Sequence, residues 1–246
     1  MTYARRLQIT LLLAFGVLVL TSACWAQTPS PVTEKLAKTY GLDSFGQIDA
    51  IRYTFNLEIP AFKLNLSHSW VWEPKTGQVT YEGKDKDGKP VKVTYNRSQI
   101  NSAPGNVKDE VEPNFVNDNY WLIFPFHAYW DTSASVQEKD KQKLPIGTGT
   151  AKLVTVKYPM EAGGYTPGDT WDLYVGPDGR VIQFVYHRGG DKKPSNVTAT
   201  WAGYKKAGPL LVSTDHRGTA DGKPLHLFIS NVAVKLAGSG TWMDAK

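Results

Sequence analysis

Hydrophobic and polar residues alternate along most of the chain from residue 48 onward. In the first such stretch Ile51, Tyr53, Phe55 and Leu57 share one face, and the polar residues between them occupy the other. This period of two is typical of a β-strand with one buried face. Turns rich in Gly, Asp and Pro punctuate further stretches of the same kind, which are 64–72, 78–82, 91–95, 152–158, 170–175, 181–187, 197–204, 210–215 and 225–236.

The last of these stretches changes phase. Its apolar positions have a period of two over Leu225–Ile229 and again over Val232–Leu236, but the two sets are offset by one residue. Such an offset at Ser230-Asn231 predicts a β-bulge, which is a common way to bend a long strand. Short turns between consecutive strands favour antiparallel pairing. The pattern therefore predicts a mainly β fold, in which one strongly curved antiparallel sheet dominates residues 48–236.

Two segments break the alternation and are expected to be helical. Thr33 can cap a short helix over Glu34–Tyr40. In the segment 113–131, Pro113 suits a first helical turn, and Pro125 is expected to end or kink the helix. The second helix is either a lid over the curved sheet or an ordinary core helix, because its apolar residues are too many for one packing face. These residues are Phe115, Val116, Tyr120, Trp121, Ile123 and Phe124.

The N-terminus has the pattern of an export signal. Arg5 and Arg6 precede the almost wholly apolar stretch Ile9–Leu20, which at 12 residues is too short to cross a bilayer as a helix. This arrangement is typical of a secretory signal peptide. Two cleavage sites fit the sequence. One lies after Ala26, and the other lies before Cys24, where residues 21–24 are similar to a bacterial lipobox whose cysteine becomes lipidated.

The predicted organisation follows from these signals. It is a signal peptide over 1–26 or a lipoprotein signal over 1–23, then a tether over 27–32 and a single β-rich domain over 33–246. Cleavage after residue 26 leaves 220 residues, which is enough for one all-β domain. The chain is predicted to be exported, and to be periplasmic or associated with the outer membrane.

Composition and charge exclude several classes of protein. With 41% hydrophobic residues, 22 Gly and 15 Pro, the chain is neither disordered nor collagen-like. Its 1 Cys excludes a disulfide framework and a multi-cysteine metal site. Residues 1–26 hold two Arg and no acid, so cleavage lowers the formal charge from +5 to +3, with 26 basic and 23 acidic residues. The densest basic cluster, 138–143, is interrupted by acids and is expected to be a solvated loop, so we predict no nucleic-acid partner.

Residues with catalytic potential form no recognised motif. The five His residues are His68, His127, His187, His216 and His226, and none has the spacing of a helical zinc motif. Asp131 near His127 and Asp215 beside His216 are candidate acid–base pairs, but a chain of this length contains such pairs by chance. The sequence therefore predicts a protein without catalytic activity, without a cofactor and without a metal site.

Aromatic residues are the most numerous candidates for ligand binding. Seven Trp follow residue 26, and such residues can line a lipid cavity, stack on sugars or fill a core. Alternation places several of them on the inner face of the sheet, and the predicted helix adds more. The predicted ligand-binding residues are Phe55, Trp70, Trp72, Tyr120, Trp121, Phe124, Trp171 and Trp201.

Three stretches carry a family resemblance. Ser69–Gly77, Phe115–Phe126 and Tyr165–Trp171 resemble uncharacterised exported families near the bacterial lipoprotein-carrier superfamily (LolA/LolB-like). The order of elements over 33–236 is also similar to that superfamily. The resemblance implies a half-open antiparallel barrel with a short N-terminal helix and a mid-chain aromatic lid helix. It also implies that the concave face holds acyl chains or another apolar ligand.

Two classes of function follow from these observations. The first is an exported, non-catalytic protein that binds a lipid, an acyl chain or another apolar small molecule in the cell envelope. A lipid on Cys24 would then attach it to the outer membrane. The alternative is an envelope interaction or carbohydrate-binding module, which would expose its aromatic residues as a flat strip.

Overall fold

The computed structural model describes residues 29–85, 87–161, 165–190 and 195–246. Both predicted cleavage sites and Cys24 lie outside these residues. The chain is mainly β, as the alternation predicts, with 48% of residues in strands and 23% in helices. Among the described helices, none combines the length and apolar character needed to span a membrane.

One antiparallel sheet of 12 strands dominates the molecule and does not close. Its strands are β1 (Ile48–Ile59), β2 (Leu64–Glu73), β3 (Gln78–Lys84), β4 (Pro90–Asn96), β5 (Ser135–Lys143), β6 (Thr150–Lys157), β7 (Thr170–Val175), β8 (Val181–His187), β9 (Asn196–Thr200), β12 (Asp215–Ala220), β13 (Lys223–Leu236) and β14 (Met243–Asp244). A separate pair consists of β10 (Lys205–Ala207) and β11 (Leu210–Val212). The sheet order is β4-β3-β2-β1-β13-β12-β9-β8-β7-β6-β5, and β14 pairs with β13.

Strand β5 corrects the prediction of a solvated loop over 138–143. Residues 135–143 pair with β6 along one side and form an edge of the sheet on the other. Nearly all of its side chains are exposed, so it has no buried face to produce an apolar alternation. Charged side chains on an edge strand hinder pairing with another chain. The charge that suggested a loop thus belongs to an edge strand.

The predicted bulge in the last strand is confirmed. Arg52 of β1 lies opposite Ala233 of β13, and Thr54 lies opposite Ser230, so Tyr53 faces two residues instead of one. Asn231 takes a φ of 54°, which Asn tolerates better than most residues. The extra residue shifts the apolar phase of the strand, so both of its halves direct apolar side chains to the inner face.

Both predicted helices are present, but the second helical segment begins at Val107 and not at the predicted residue 113. Helix α1 (Pro31–Thr39) begins before the predicted Glu34, because Pro31 occupies the first helical turn, so Pro31 and Val32 belong to the helix and not to the tether. Helix α2 (Leu42–Phe45) follows α1 directly. A π-helical segment (Val107–Val111) then leads into helix α3 (Glu112–Trp130). These two segments together contain 24 residues. Short 3₁₀ turns occupy Pro60–Phe62 and Arg97–Ser102.

Pro125 kinks helix α3 without ending it. The backbone leaves helical geometry at Ile123, with φ −131° and ψ 31°, and the helix continues to Trp130. A proline in a helix interior removes one backbone hydrogen bond and clashes with the preceding turn, which accounts for the kink. Phe124, Pro125 and Phe126 are buried, so the kinked part of the helix is enclosed by the core.

His216 of β12 generates a prediction about stability and pH. Its side chain is fully buried, Nδ1 lies 3.1 Å from the Thr200 carbonyl oxygen, and burial lowers the pKa of the imidazole to about 4. Below pH 6.5 the His216 imidazole is protonated in the unfolded chain, whereas it stays neutral in the folded chain until the pH approaches about 4. The free energy of unfolding should therefore fall by roughly 3 kcal/mol as pH drops from 6.5 to about 4.

The control for this prediction is His216→Leu, which removes the titrating ring. Urea unfolding at several pH values should show a steeper loss of stability in the wild type than in His216→Leu over that window. If the free energy of unfolding depended on pH equally in the two proteins, His216 would not be the source of the pH dependence.

Candidate functional site

Helix α3 packs against the inner face of the sheet through aromatic rings. Phe124 stacks on Trp171 of β7 with ring centroids 4.1 Å apart, and Trp121 lies 4.8 Å from the same ring. Toward the opposite end of the sheet, Phe115 meets Trp70 of β2 at 5.4 Å. The helix therefore bridges strands near both ends of the open sheet.

A buried carboxylate fixes the helix to β2. Asp118 is 1% exposed, and its Oδ2 accepts a hydrogen bond from Trp70 Nε1 at 2.8 Å and lies 2.8 Å from His68 Nδ1. Asn117 Nδ2 donates to Oδ1 at 3.0 Å. Burial raises the pKa of the Asp118 carboxyl, although these three partners oppose the shift. His68, which alternation places inward, is thus a paired residue on the inner face.

Beside α3 the inner face of the sheet is not fully covered. A cavity of about 1070 Å³ lies between the helix and strands β1, β7, β8, β9, β12 and β13. We call it the apolar groove. Its apolar lining consists of Phe55, Leu57, Ile59, Phe62, Pro113, Val116, Trp121, Trp171, Val197, Ala220, Leu225 and Leu227. Its charged and polar lining residues include Asp109, Asn117, Asp169, Arg188, Ser195 and Asp221.

A smaller cavity of about 310 Å³ adjoins the apolar groove. We call it the polar pocket. It is lined by Arg97, Phe115, Val116, Asn119, Tyr120, His127, Asp131, Ser133, Tyr158 and Tyr165. Val116, Tyr120 and Tyr165 line both cavities, so a ligand in one lies next to the other.

Asp131, directly after α3, organises one wall of the polar pocket. Its Oδ2 accepts hydrogen bonds from the hydroxyls of Tyr120 at 2.6 Å and Tyr158 at 2.8 Å, and His127 Nδ1 lies 3.6 Å away. Burial acts to raise the pKa of Asp131, but His127 and the two hydroxyls outweigh it and lower the pKa below its usual value. Asp131 is therefore an anion at neutral pH.

Arg97 forms another wall of the polar pocket. Its Nε donates to Glu112 Oε1 at 2.9 Å, and its guanidinium lies 5.0 Å above the ring of Phe115. Glu112 is 2% exposed and also accepts the Tyr95 hydroxyl at 2.7 Å. Burial and the neighbouring Glu112 raise the pKa of Tyr95, so its hydroxyl remains a donor. The ion pair compensates the burial of the Glu112 carboxylate.

The eight predicted ligand-binding residues fall into two groups. Phe55, Tyr120, Trp121 and Trp171 line the apolar groove. Trp70 and Trp72 pack against Phe115 on the other side of α3, Phe124 is covered by Trp171, and Trp201 packs against Phe184 and His216. The structure thus brings four of the eight to one cavity and places the other four within packed aromatic clusters.

The two candidate acid–base pairs have different outcomes. Asp131 does lie beside His127, with His127 Nδ1 3.6 Å from its Oδ2, and His127 Nε2 lies 2.8 Å from Asn119 Oδ1. Asp215 pairs with His226 at 2.7 Å and not with its neighbour His216, because adjacent residues of a strand point to opposite faces. Within the described residues, no group of three His, Cys, Asp or Glu residues could hold a metal ion.

Several site residues were not identified as such from the sequence. Alternation places Leu57, Leu225 and Leu227 on the inner face, but it carries no information on whether space remains above them. Arg97 belongs to a segment with no strand or helix pattern. Its part in the pocket depends on contacts with Glu112 and Phe115, which lie in another element.

Comparisons with known proteins give only distant similarities. No protein-family model matches the sequence, and no curated protein matches it. The chain is similar in structure to a DUF1329 family protein from Desulfovibrio piger, at 9% identity and a TM-score of 0.45, over 85% of this chain and 93% of the other. It is also similar to a domain described as an outer membrane lipoprotein-sorting protein from Vibrio parahaemolyticus, at 9% identity and a TM-score of 0.46, over the same 85% and 93%. Similarity at this level carries no conclusion about ligand or activity.

The hydrogen bond from Trp70 to Asp118 generates a prediction about stability. Trp70 and Trp201 are both buried, at 1% and 2% exposure, but Trp201 Nε1 has no hydrogen-bond partner among the described residues. Replacing Trp70 or Trp201 by Phe removes a similar amount of buried apolar surface. Only Trp70→Phe also removes a hydrogen-bond donor to the buried carboxylate of Asp118. We expect Trp70→Phe to lower the free energy of unfolding by about 1.5–3 kcal/mol more than Trp201→Phe. Equal losses in urea unfolding would contradict this account of Asp118.

Proposed function

We propose that this chain is a non-catalytic binding protein of the bacterial cell envelope that holds an acyl chain or a similar apolar ligand in the apolar groove. The observation that carries the proposal is the groove itself. It is a cavity of about 1070 Å³ whose floor is formed by apolar residues of the inner face of the sheet. Binding pockets for small molecules are commonly about 300–1,000 Å³ and mostly apolar.

The lining residues determine the kind of ligand. Leu57, Val197, Leu225 and Leu227 project from the sheet, and Trp121 projects from α3, so each wall of the groove carries apolar side chains. A ligand held here gains affinity mainly from buried area, at roughly 25 cal/mol per Å². Such binding depends little on the orientation of individual contacts. It therefore suits a flexible apolar chain better than a rigid polar molecule.

The geometry supports binding rather than catalysis. In the adjoining polar pocket, Asp131 contacts two tyrosine hydroxyls and His127, and Arg97 contacts Glu112. A general base works best when its pKa lies near the working pH, and His127 and the two hydroxyls hold the pKa of Asp131 below its usual value. His127, the best candidate by residue type, has both ring nitrogens close to other protein groups.

The alternative of a carbohydrate-binding module has less support. Flat sugar-binding strips need exposed aromatic rings, whereas the aromatic residues on the inner face are largely buried. Among the described residues, the exposed large apolar side chains are Phe62, Met160, Tyr165 and Met243. Of these, Phe62 and Tyr165 line the apolar groove, so they belong to the proposed site.

Filling the groove tests the proposal. Val197 of β9 lines it, and Val197→Trp should occupy the space of the ligand without removing a core side chain. We expect the affinity for a long-chain probe with an uncharged fluorophore to fall about tenfold or more, equal to about 1.4 kcal/mol, with little change in Tm.

The matched control is Val185→Trp. Val185 lies on β8 between the inward-facing Phe184 and Tyr186, so its side chain points to the outer face of the sheet. This variant should bind the probe like the wild type. A wild type that does not bind the probe, or equal binding by the two variants, would refute the proposal.

The N-terminal sequence leads to a separate test of location. If Cys24 carries a lipid, Cys24→Ser should move the protein from the membrane fraction to the soluble periplasmic fraction, because acyl chains anchor with about 0.8 kcal/mol per buried CH₂. If cleavage follows Ala26, the wild type is already in the soluble fraction and the substitution changes nothing. Fractionation of both proteins by ultracentrifugation distinguishes the two sites.

A further inference from the structure

The polar pocket is positioned to hold the head of a molecule whose tail lies in the apolar groove. The two cavities share Val116, Tyr120 and Tyr165, so they adjoin at these three side chains. An alkyl chain in the groove therefore brings its polar end next to the pocket. This step rests on the proposed function, because it takes the groove as the site of the tail.

The pocket offers one cationic donor. Arg97 uses Nε for Glu112, and its two terminal nitrogens donate to no side chain or backbone oxygen of the described residues. The side chain is 36% exposed and lies over the ring of Phe115, which limits its movement. A guanidinium held in this way presents paired N–H groups to an oxyanion such as a phosphate.

The same pocket offers one anionic acceptor. Asp131 accepts both tyrosine hydroxyls on Oδ2, and Oδ1 accepts no hydrogen bond from the described residues. Its side chain is 26% exposed, so it can be reached from the pocket. An ionised carboxylate with an unused oxygen suits a primary ammonium group, which can donate N–H to it.

The balance of charge around the pocket favours a head with charges of both signs over a purely anionic head. Glu112 pairs with Arg97, and Asp131 adds a negative charge to the opposite wall. A head with negative charge alone would meet Arg97 favourably but would be repelled by Asp131. A head with charges of both signs satisfies both walls of the pocket.

We propose that the polar pocket binds a zwitterionic phosphate–primary ammonium headgroup, with the phosphate at Arg97 and the ammonium at Asp131. The ligand of the groove is then a phosphatidylethanolamine-like amphiphile. Arg97 and Asp131 contact only the headgroup. The specificity of binding therefore depends on the headgroup and not on the alkyl tail.

Competition between lysolipids with identical tails tests this inference. The wild-type chain is loaded with the uncharged long-chain fluorescent probe, which is displaced by lysophosphatidylethanolamine or by lysophosphatidylglycerol. We expect the ethanolamine lipid to compete about tenfold better, since one hydrogen bond between charged groups accounts for such a ratio.

Two variants test separately whether Asp131 binds the ammonium group and whether Arg97 binds the phosphate. Asp131→Asn keeps an oxygen for the tyrosine hydroxyls but removes the charge, and it should abolish the preference for ethanolamine. Arg97→Gln keeps a donor for Glu112 and should weaken both lysolipids while leaving probe binding unchanged. The control is Asp49→Asn, at a residue that lines neither cavity and pairs with Lys75 at the surface, and it should behave like the wild type.

The outcomes separate this inference from the proposed function. Equal competition by the two lysolipids in the wild type, or a preference that survives in Asp131→Asn, would overturn the headgroup assignment while probe binding still supported the groove. A wild type that fails to bind the probe at all would remove the proposed function itself.

Discussion

The hydrogen bonds to Asp118 determine how helix α3 lies on the sheet. A buried carboxylate is costly unless it is hydrogen-bonded, and here His68 and Trp70 of β2 surround its Oδ2. Holding Asp118 against β2 fixes the rotation of the helix about its axis. Trp121, three residues later and on nearly the same face of the helix, then contacts Trp171 of β7. The groove lies beside this contact, where the helix covers the sheet incompletely.

The open sheet makes this arrangement feasible. Its edges are β4 and β5, and the chain between these two strands includes α3, so the helix starts and ends near the gap. A closed barrel of this size would fill its interior with side chains or leave a sealed cavity. With the sheet open, a kinked helix can cover one part of the inner face and leave another part accessible. The charged side chains of β5 keep the exposed edge from pairing with other chains.

The fold was more predictable from the sequence than the site. Alternation identified β1 and the phase shift of β13 because these strands have one buried face, and it failed for β5, which has none. The same pattern placed Trp70 and Trp171 alike on the inner face, although only Trp171 lines the groove. Alternation distinguishes the two faces of a strand, but it does not show whether a neighbouring element fills the space above. Arg97 and Asp131 form one pocket only because α3 brings the ends of two distant loops together.

The central claim is that the groove holds an apolar chain, and native mass spectrometry of the intact protein tests it most directly. The protein is purified from its own cell envelope without detergent, and its mass is measured under non-denaturing and then denaturing conditions. The account predicts a non-covalent adduct with the mass of a lipid that is lost on denaturation. A protein that carries no adduct, and gains none after incubation with lipid vesicles, would contradict it.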